Sequence, residues 1–126
     1  MTLLAVAAGG ALGAMARYLL AVRLYGELGI GFPWGVLGVN VLGCALLGLV
    51  LGLVEERDAF SPDVRTFLTV GFLGAMTTFS TFIYEIWDYV REDDPLRSGL
   101  YVVLSLAIGF AAFASAHAAT VSVAAR

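Results

Sequence analysis

The chain has 126 residues, of which 60% are hydrophobic and 13% are charged, and its formal net charge is −3. With a mean hydropathy of +0.92, a chain of this size is far too apolar to be a soluble domain. The small negative charge is spread over short polar segments and indicates no nucleic-acid partner. The composition therefore predicts a membrane protein.

The charged residues occur in clumps separated by long uncharged segments. Such segments run from Glu27 to Glu55, from Arg65 to Glu85 and from Arg97 to Arg126. Each is long enough to cross about 30 Å of hydrocarbon as a helix, which takes about 20 residues. Together with the apolar N-terminal segment, they predict four spans near 2–24, 32–54, 66–88 and 98–121. Residues 1–126 are thus predicted to form a single all-α integral membrane domain.

The first predicted span contains two arginines, Arg17 and Arg23. In a cleavable signal peptide the positive charge precedes the apolar region and a small-residue cleavage site follows it, whereas these arginines come last. We therefore interpret this segment as a retained helix. Arg23 is placed at the membrane interface, and Arg17 lies several residues inside the span.

The arginines also bear on orientation, because lysine is absent and positively charged loops stay cytoplasmic. One side carries Arg23, Arg91 and Arg97, plus Arg17 if its side chain reaches the interface, and the other carries Arg57, Arg65 and Arg126. Such a near tie gives little bias and predicts insertion in both orientations. The alternative is that another factor, such as segment hydrophobicity, fixes one orientation.

Small residues recur along the first two spans at a spacing that lets helix backbones approach closely in lipid. The pairs are Gly9 with Gly13 and Gly48 with Gly52. Packing within one chain accounts for most of these glycines. Four short helices nevertheless leave no room for an aqueous path inside one subunit, so transport would require a partner chain.

The second span contains one strongly polar residue, Asn40, which is costly in a membrane and is a candidate for function. An interhelical hydrogen bond is the other interpretation, since asparagine often joins membrane helices. Gly43, on the same helix face, would clear space beside the amide. Cys44 is interpreted as a small packing residue, because a single cysteine forms no intrachain disulfide.

The third span contains the sequence GAMTTFSTF, with hydroxyl groups at Thr77, Thr78, Ser80 and Thr81. Bonding of a hydroxyl to its own helix backbone accounts for one or two of them. Together with Gly71 and Gly74, these residues make a poor helix interior and predict a break at mid-membrane. Carbonyl groups freed by a break bind cations, and freed amides and hydroxyls bind anions.

Two phenylalanines, Phe79 and Phe82, are three positions apart in this span and share a helix face. Such residues ordinarily contact lipid or pack in a core. A phenyl ring also has a positive edge, so ring edges along a narrow pore could bind a small anion. Glu85 follows on the same face and could simply be the interfacial end of the span.

The fourth span places Ser98, Tyr101 and Ser105 on one side, as a hydroxyl ladder that runs into the membrane. His117, the single histidine, has no second histidine, cysteine or nearby carboxylate in the sequence, so we assign it to the interface. No nucleophile lies at a plausible spacing from a base, and no glycine loop is suited to phosphate. The sequence therefore predicts a protein that is not an enzyme.

Three segments resemble, in order and spacing, the signature segments of the Fluc (CrcB) fluoride channels. They are GALGAMARY at 10–18, GVLGVNVLGCALLG at 35–48 and GFLGAMTTFSTF at 71–82. The resemblance implies a channel that passively exports fluoride across the cell inner (plasma) membrane and so relieves fluoride toxicity. It also implies an antiparallel homodimer of dual-topology subunits, with two pores and a structural sodium ion at the centre.

The resemblance also implies roles for individual residues. Asn40 is similar to the pore asparagine, Phe79 and Phe82 to the ring-edge phenylalanines, and Arg17 to an arginine near the pore vestibule. Other matched pore positions are Ser80, Thr81, Glu85, Tyr101 and Ser105. Gly74 and Thr77 fall where backbone carbonyls hold the sodium ion. The chain departs from the family at Val36, where threonine is frequent, and at Ala75, where a second glycine is common, and Val36 removes a hydroxyl from the Asn40 face.

Two other functions are compatible with parts of this pattern. A small multidrug exporter also has four short spans and dual topology, but it needs a membrane-embedded carboxylate in its first helix, and none precedes Glu27. A structural protein could use the glycine and hydroxyl motifs only to join helices. Fluoride flux in vesicles that contain only this protein would distinguish the three.

Overall fold

The computed structural model of the chain describes residues 2–57 and 59–124, and over these residues the fold is all-α. The elements in chain order are α1 (Thr2–Leu28), α2 (Trp34–Arg57), α3 (Pro62–Thr66), a π-helical segment (Phe67–Leu73), α4 (Gly74–Met76), α5 (Phe79–Arg91) and α6 (Pro95–Ala124). Four helical stretches are long and apolar enough to cross a membrane: Thr2–Leu28, Trp34–Glu55, Pro62–Arg91 and Pro95–Val123. The predicted all-α class with four helices able to span a membrane is therefore confirmed.

The four helical stretches end beyond the predicted spans, whereas α2 begins at Trp34, just after its predicted start. Helix α1 runs to Leu28, and the next residue, Gly29, adopts φ +85. The Gly29 N–H donates to the Tyr25 carbonyl at 3.0 Å, and a left-handed glycine is the usual residue at such a helix end. Pro62 and Pro95 begin α3 and α6, where the N–H that proline lacks would have no helical partner.

The third apolar stretch changes its backbone geometry along its length. Helix α3, the π-helical segment and α4 follow one another without a gap over 62–76. Thr77 and Thr78 then adopt extended conformations, with φ −78 and ψ 155 for Thr77 and φ −146 and ψ 116 for Thr78. Helix α5 begins at Phe79, and the Thr78 hydroxyl accepts a hydrogen bond from the Thr81 N–H at 3.2 Å as its N-terminal cap.

Glycines bring the helix backbones into direct contact at two places. A Cβ atom at Gly9 or Gly13 of α1 would overlap backbone atoms of the π-helical segment, and one at Gly48 of α2 would overlap the Phe113 carbonyl of α6. Gly52 lies one turn further along the same contact between α2 and α6, against Thr120. The expectation that these glycines pack helices within one chain is confirmed.

The buried side chains form two apolar clusters beside the Thr77–Thr78 segment. One contains Val36, Leu37, Phe82, Tyr89 and Tyr101, and the other contains Val39, Val50, Leu73 and Met76. Thr78 is the polar residue that is buried with them, at 6% exposure. Many large apolar side chains on the outer faces are exposed, as expected for surfaces that contact lipid or a partner chain.

Candidate functional site

Three cavities lie around the junction between α4 and α5. The inner cavity has a volume of 340 Å³, and its lining includes Asn40, Gly74, Thr77, Thr78, Phe79, Phe82 and Ser105. The middle cavity, of 300 Å³, is lined by residues that include Arg17, Tyr18, Tyr25, Thr78, Thr81 and Glu85. The outer cavity, of 450 Å³, is lined by residues that include Tyr25, Glu85, Asp88, Glu92 and Arg97.

Shared residues make these cavities neighbours in the molecule. Thr78 lines both the inner and the middle cavity. Tyr25 and Glu85 line both the middle and the outer cavity. The three cavities therefore form a row that begins beside Asn40 and ends at the α5 to α6 connection.

The Asn40 side chain binds the backbone of Thr78 through two hydrogen bonds. The Thr78 N–H donates to Asn40 Oδ1 at 2.8 Å, and Asn40 Nδ2 donates to the Thr78 carbonyl at 3.1 Å. Because Thr78 is extended, its backbone groups do not follow the helical pattern, and the amide of Asn40 satisfies both of them. Asn40 thus joins α2 to the third apolar stretch, and the inner cavity lies beside it.

The same contacts leave two backbone carbonyls without their usual helical donors. In a continuous α-helix, the Gly74 carbonyl would accept from the N–H of Thr78, and the Thr77 carbonyl would accept from the N–H of Thr81. Those N–H groups donate instead to Asn40 Oδ1 and to the Thr78 hydroxyl. The Thr77 hydroxyl donates to the Leu73 carbonyl at 3.0 Å, so this side chain bonds to its own helix.

Phe79 and Phe82 lie in the first turn of α5, and their rings have very different surroundings. Their ring centroids are 5.9 Å apart, and both residues line the inner cavity. Phe82 is buried against Tyr101, with ring centroids 5.0 Å apart, whereas Phe79 is 74% exposed. In the single chain, therefore, Phe82 is held by packing and Phe79 presents most of its ring to the surroundings.

Glu85 is held by two phenol groups from different helices. Tyr25 of α1 donates to Glu85 Oε1 at 2.5 Å, and Tyr101 of α6 donates to Glu85 Oε2 at 2.5 Å. Tyr101 is fully buried, and its ring also meets Phe32 edge to face. The carboxylate is thus fixed on both of its oxygens, and the predicted residues Tyr101 and Glu85 act as one hydrogen-bonded group.

The remaining predicted polar residues differ in their position relative to the three cavities. Arg17 and Thr81 line the middle cavity together, and within the described part of the chain Arg17 forms no ion pair. The Ser105 hydroxyl is buried beside the inner cavity and has no hydrogen-bond partner among the described residues. Ser80 is exposed, lies outside the linings of the three cavities and approaches the Thr78 hydroxyl at 3.5 Å.

The expectation that His117 has no carboxylate nearby is wrong. His117 Nε2 lies 2.9 Å from Oε2 of Glu55, a residue 62 positions away that the packing of α2 against α6 brings alongside. The His117 ring also stacks on Phe113. In the described residues, no group of three or more histidine, cysteine or acidic side chains is placed to hold a metal ion.

Sequence reasoning missed two residues that organise the site. Thr78 was one of four similar hydroxyl residues, and its low exposure and its bonds to Asn40 follow from the backbone geometry rather than from its type. Tyr25 contacts Glu85 across 60 positions. A tyrosine beyond the end of the predicted first span carries no local signal for this contact, although an aromatic residue with a polar tip at a helix end is itself ordinary.

The fold and the cavities define a small multi-pass helical membrane protein whose polar residues converge on an extended segment between two helices. Residues 4–117 match the family described as CrcB-like protein, Camphor Resistance (CrcB). The chain therefore belongs to the CrcB family, and the resemblance seen in the sequence is confirmed.

Several relatives carry the name fluoride-specific ion channel FluC. The chain is 46% identical over 101 residues to the protein of Hahella chejuensis, covering 80% of each chain. It is 44% identical over 107 residues to that of Geobacter sulfurreducens, covering 85% of this chain and 86% of the relative. With the protein of Acidobacterium capsulatum, it shares 45% identity over 112 residues, covering 89% of this chain and 90% of the relative. These names are those of ion channels, in agreement with the prediction that the chain is not an enzyme.

Proposed function

We propose that this protein is a fluoride-selective ion channel of the cell inner (plasma) membrane that passively exports fluoride from the cytoplasm and relieves fluoride toxicity. The observation that carries the proposal is the convergence of Asn40, Phe79, Phe82 and Ser105 on one cavity, in a chain whose relatives are named fluoride-specific ion channels. Hydrogen fluoride enters a cell as a neutral acid and is trapped as the anion at a more alkaline pH. A passive pathway for the anion is therefore sufficient for export.

The proposed pathway follows the row of cavities, whose linings contain groups suited to fluoride. Arg17 in the middle cavity attracts the anion. Neutral donors then replace the water around it, namely the hydroxyls of Thr81 and Ser105 and the second amide hydrogen of Asn40, which the bond to Thr78 leaves available. The positive ring edges of Phe79 and Phe82 attract a small anion without trapping it by a full charge. Tyr101 takes part through Glu85 and by packing on Phe82.

The structural sodium ion is proposed at the backbone carbonyls of Gly74 and Thr77. Support comes from the hydrogen bonds around the extended segment, because the N–H groups of Thr78 and Thr81 donate to other acceptors. Carbonyl oxygens that lack a donor at the depth of a membrane require another partner, and hard cations bind oxygen ligands. When bound, sodium would supply a positive charge that neutralises these carbonyl dipoles and joins two subunits.

The functional unit is proposed to be an antiparallel homodimer of dual-topology subunits with two pores, in which the third helix is broken at mid-membrane. The extended backbone of Thr77 and Thr78 supports the break. Phe79 and Gly74 line the inner cavity yet are exposed in the single chain, so a second subunit would complete this site. The near tie in arginines supports the opposite orientations that an antiparallel dimer requires.

Fluoride efflux from liposomes that contain only this protein tests the proposed function. We expect fluoride to leave the vesicles and chloride to be retained. Phe79→Ile keeps an apolar side chain but removes the ring, so it should reduce fluoride efflux severely while the protein remains dimeric by size-exclusion chromatography. Phe82→Ile should do the same, although its buried ring also contributes packing.

Phe110→Ile is the matched control for Phe79→Ile. Phe110 is also 74% exposed, lies on α6 and is not among the residues that line the three cavities. A ring that serves only as apolar surface tolerates such a change with a stability loss under about 1.5 kcal/mol. Equal fluoride efflux for Phe79→Ile, Phe82→Ile and Phe110→Ile would show that the rings of Phe79 and Phe82 do not line the pore. Absence of fluoride efflux from the unmodified protein would favour a structural role.

A further inference from the structure

The carboxylate of Glu85 is positioned by two phenols that differ in what else they do. Tyr101 has no exposed surface, and its ring packs against Phe82 and Phe32 in the apolar cluster. Tyr25 instead lines the middle and outer cavities, as Glu85 does. The hydrogen bond from Tyr25 to Glu85 Oε1, at 2.5 Å, therefore lies where these two cavities meet.

The position of the Glu85 carboxylate determines whether it can pair with Arg17. Arg17 and Glu85 line the same middle cavity, but they form no ion pair, and within the described residues Arg17 has no other acidic partner within ion-pair distance. Solvent screens opposite charges less in a partly enclosed cavity than at an open surface, so a carboxylate that moved toward Arg17 would be attracted to it. The two phenols are the groups that bond to Glu85 and hold its carboxylate in its present position.

We infer that Tyr25 is a positioning residue that keeps the Glu85 carboxylate from pairing with Arg17, so that the Arg17 charge stays available to an anion in the middle cavity. This inference rests on the proposed function and names a residue that controls the same pathway. Bonds from a neutral donor to a carboxylate are short and strong, which suits the restraint of a mobile side chain. Without the Tyr25 hydroxyl, Oε1 loses its donor, and Glu85 turns toward Arg17 on the single bond to Tyr101.

Tyr25→Phe tests the hydroxyl separately from the ring. The ring packs over Gly35, where a Cβ atom would overlap it, and phenylalanine keeps that contact. We expect fluoride efflux to fall about tenfold, the factor that corresponds to losing one hydrogen bond to a charged group. Tyr84→Phe is the control, because Tyr84 is 59% exposed on α5 and lies outside the linings of the three cavities.

A second substitution distinguishes positioning from a structural role. Glu85→Gln removes the charge that competes for Arg17, so adding Tyr25→Phe to Glu85→Gln should change efflux less than about twofold. If Tyr25 acts only by supporting the fold, its substitution should reduce efflux equally in both backgrounds. A tenfold further loss in the double variant, or full efflux from Tyr25→Phe alone, would overturn the inference.

A structure of the Tyr25→Phe variant tests, without a flux measurement, whether Tyr25 keeps Glu85 from Arg17. We expect Glu85 to approach the Arg17 guanidinium to within about 4 Å, the distance of an ion pair. A carboxylate that stays on Tyr101 and away from Arg17 would overturn the inference. If the unmodified protein conducts no fluoride, the proposed function fails, whereas the position of Glu85 in this variant still shows whether Tyr25 restrains it.

Discussion

Asn40 is the residue that most directly connects the fold to the proposed pathway. The sequence left two interpretations open, a functional amide and an interhelical hydrogen bond. The contacts with Thr78 show the interhelical bond. They use the Oδ1 acceptor and one of the two amide hydrogens, so the second hydrogen is free for the proposed pore role. The two interpretations are therefore compatible in one side chain.

Replacing Asn40 with aspartate keeps the oxygen that accepts a hydrogen bond and removes the N–H groups that donate, while the side-chain volume hardly changes. In Asn40→Asp, the N–H of Thr78 keeps an acceptor, but the Thr78 carbonyl loses its donor and faces a carboxylate. We expect a loss of about 1 to 3 kcal/mol in the free energy of unfolding, the usual result of an unsatisfied buried polar group. Fluoride efflux should also be abolished, since negative charge at the inner cavity repels an anion. Unchanged efflux, with thermal unfolding in detergent like that of the parent, would contradict both expectations.

Residue type and spacing indicated several polar and aromatic residues that line the inner cavity, but not the contacts between residues. Asn40, Phe79 and Phe82 are unusual for their spans, so the sequence alone marks them as candidates. Tyr25 and Glu85, and likewise Glu55 and His117, are pairs made by helix packing across 60 and 62 positions. Such pairs require the relative rotation of two helices, which a single sequence with mostly apolar helix faces does not define.

At the level of elements, the contact between α1 and the π-helical segment depends on the absence of side chains. Gly13 faces the Phe72 carbonyl so closely that an added Cβ would overlap it, whereas nothing lies within 4 Å of a Cβ built on Gly10. These two glycines belong to the same helix, and therefore they form a matched pair for testing close packing.

Gly13→Ala should separate α1 from the π-helical segment and lower the free energy of unfolding by about 1 to 3 kcal/mol, as overpacking usually does. Gly10→Ala should leave stability unchanged or raise it by up to about 1 kcal/mol, because alanine favours a helix over glycine. Thermal unfolding of the two variants in the same detergent provides the comparison. Equal stability of Gly13→Ala and the parent protein would mean that the two elements do not rely on close backbone contact.

The sequence predicted the existence of the helices much better than their internal geometry. Long apolar segments are enough to locate four helices able to span a membrane, since a helix that crosses hydrocarbon must be long and apolar. The π-helical form of Phe67–Leu73 has no comparable signal in the sequence, and its backbone lies against Gly9 and Gly13 of α1. The ends of the helices were also placed too early, since hydrophobicity marks where the membrane ends and not where the helix ends.

For the whole molecule, the proposed sodium ion predicts that cation identity affects assembly. If the ligands are backbone carbonyls, Thr77→Ser should be tolerated, because serine keeps the hydroxyl that donates to Leu73 and leaves the carbonyl in place. Exchange of sodium for a larger cation should reduce fluoride efflux and the dimer fraction measured by size-exclusion chromatography. Full efflux from protein that has met no sodium, including during purification, would rule out a required sodium ion.

Changing the balance of positive charge between the two sides of the membrane tests dual topology. A reporter fused after Arg126, which lies outside the described residues, should be found on both sides of the membrane. Lysines added between α1 and α2 and between α5 and α6 should force one orientation, because positive loops stay cytoplasmic. Lysines added between α2 and α3 and after α6 should force the other.

If the dimer is antiparallel, the two variants with lysines added to opposite sides, here called biased proteins, should complement each other. Each alone supplies subunits of one orientation, so neither should export fluoride when expressed in cells, although each is folded. Expressed together, they supply both orientations, and export should return toward that of the parent protein. A mutation that merely damaged the fold would not be repaired by a second damaged copy, so this rescue separates orientation from stability. Export by either biased protein alone, or a reporter found on one side only in the unmodified protein, would contradict an antiparallel assembly.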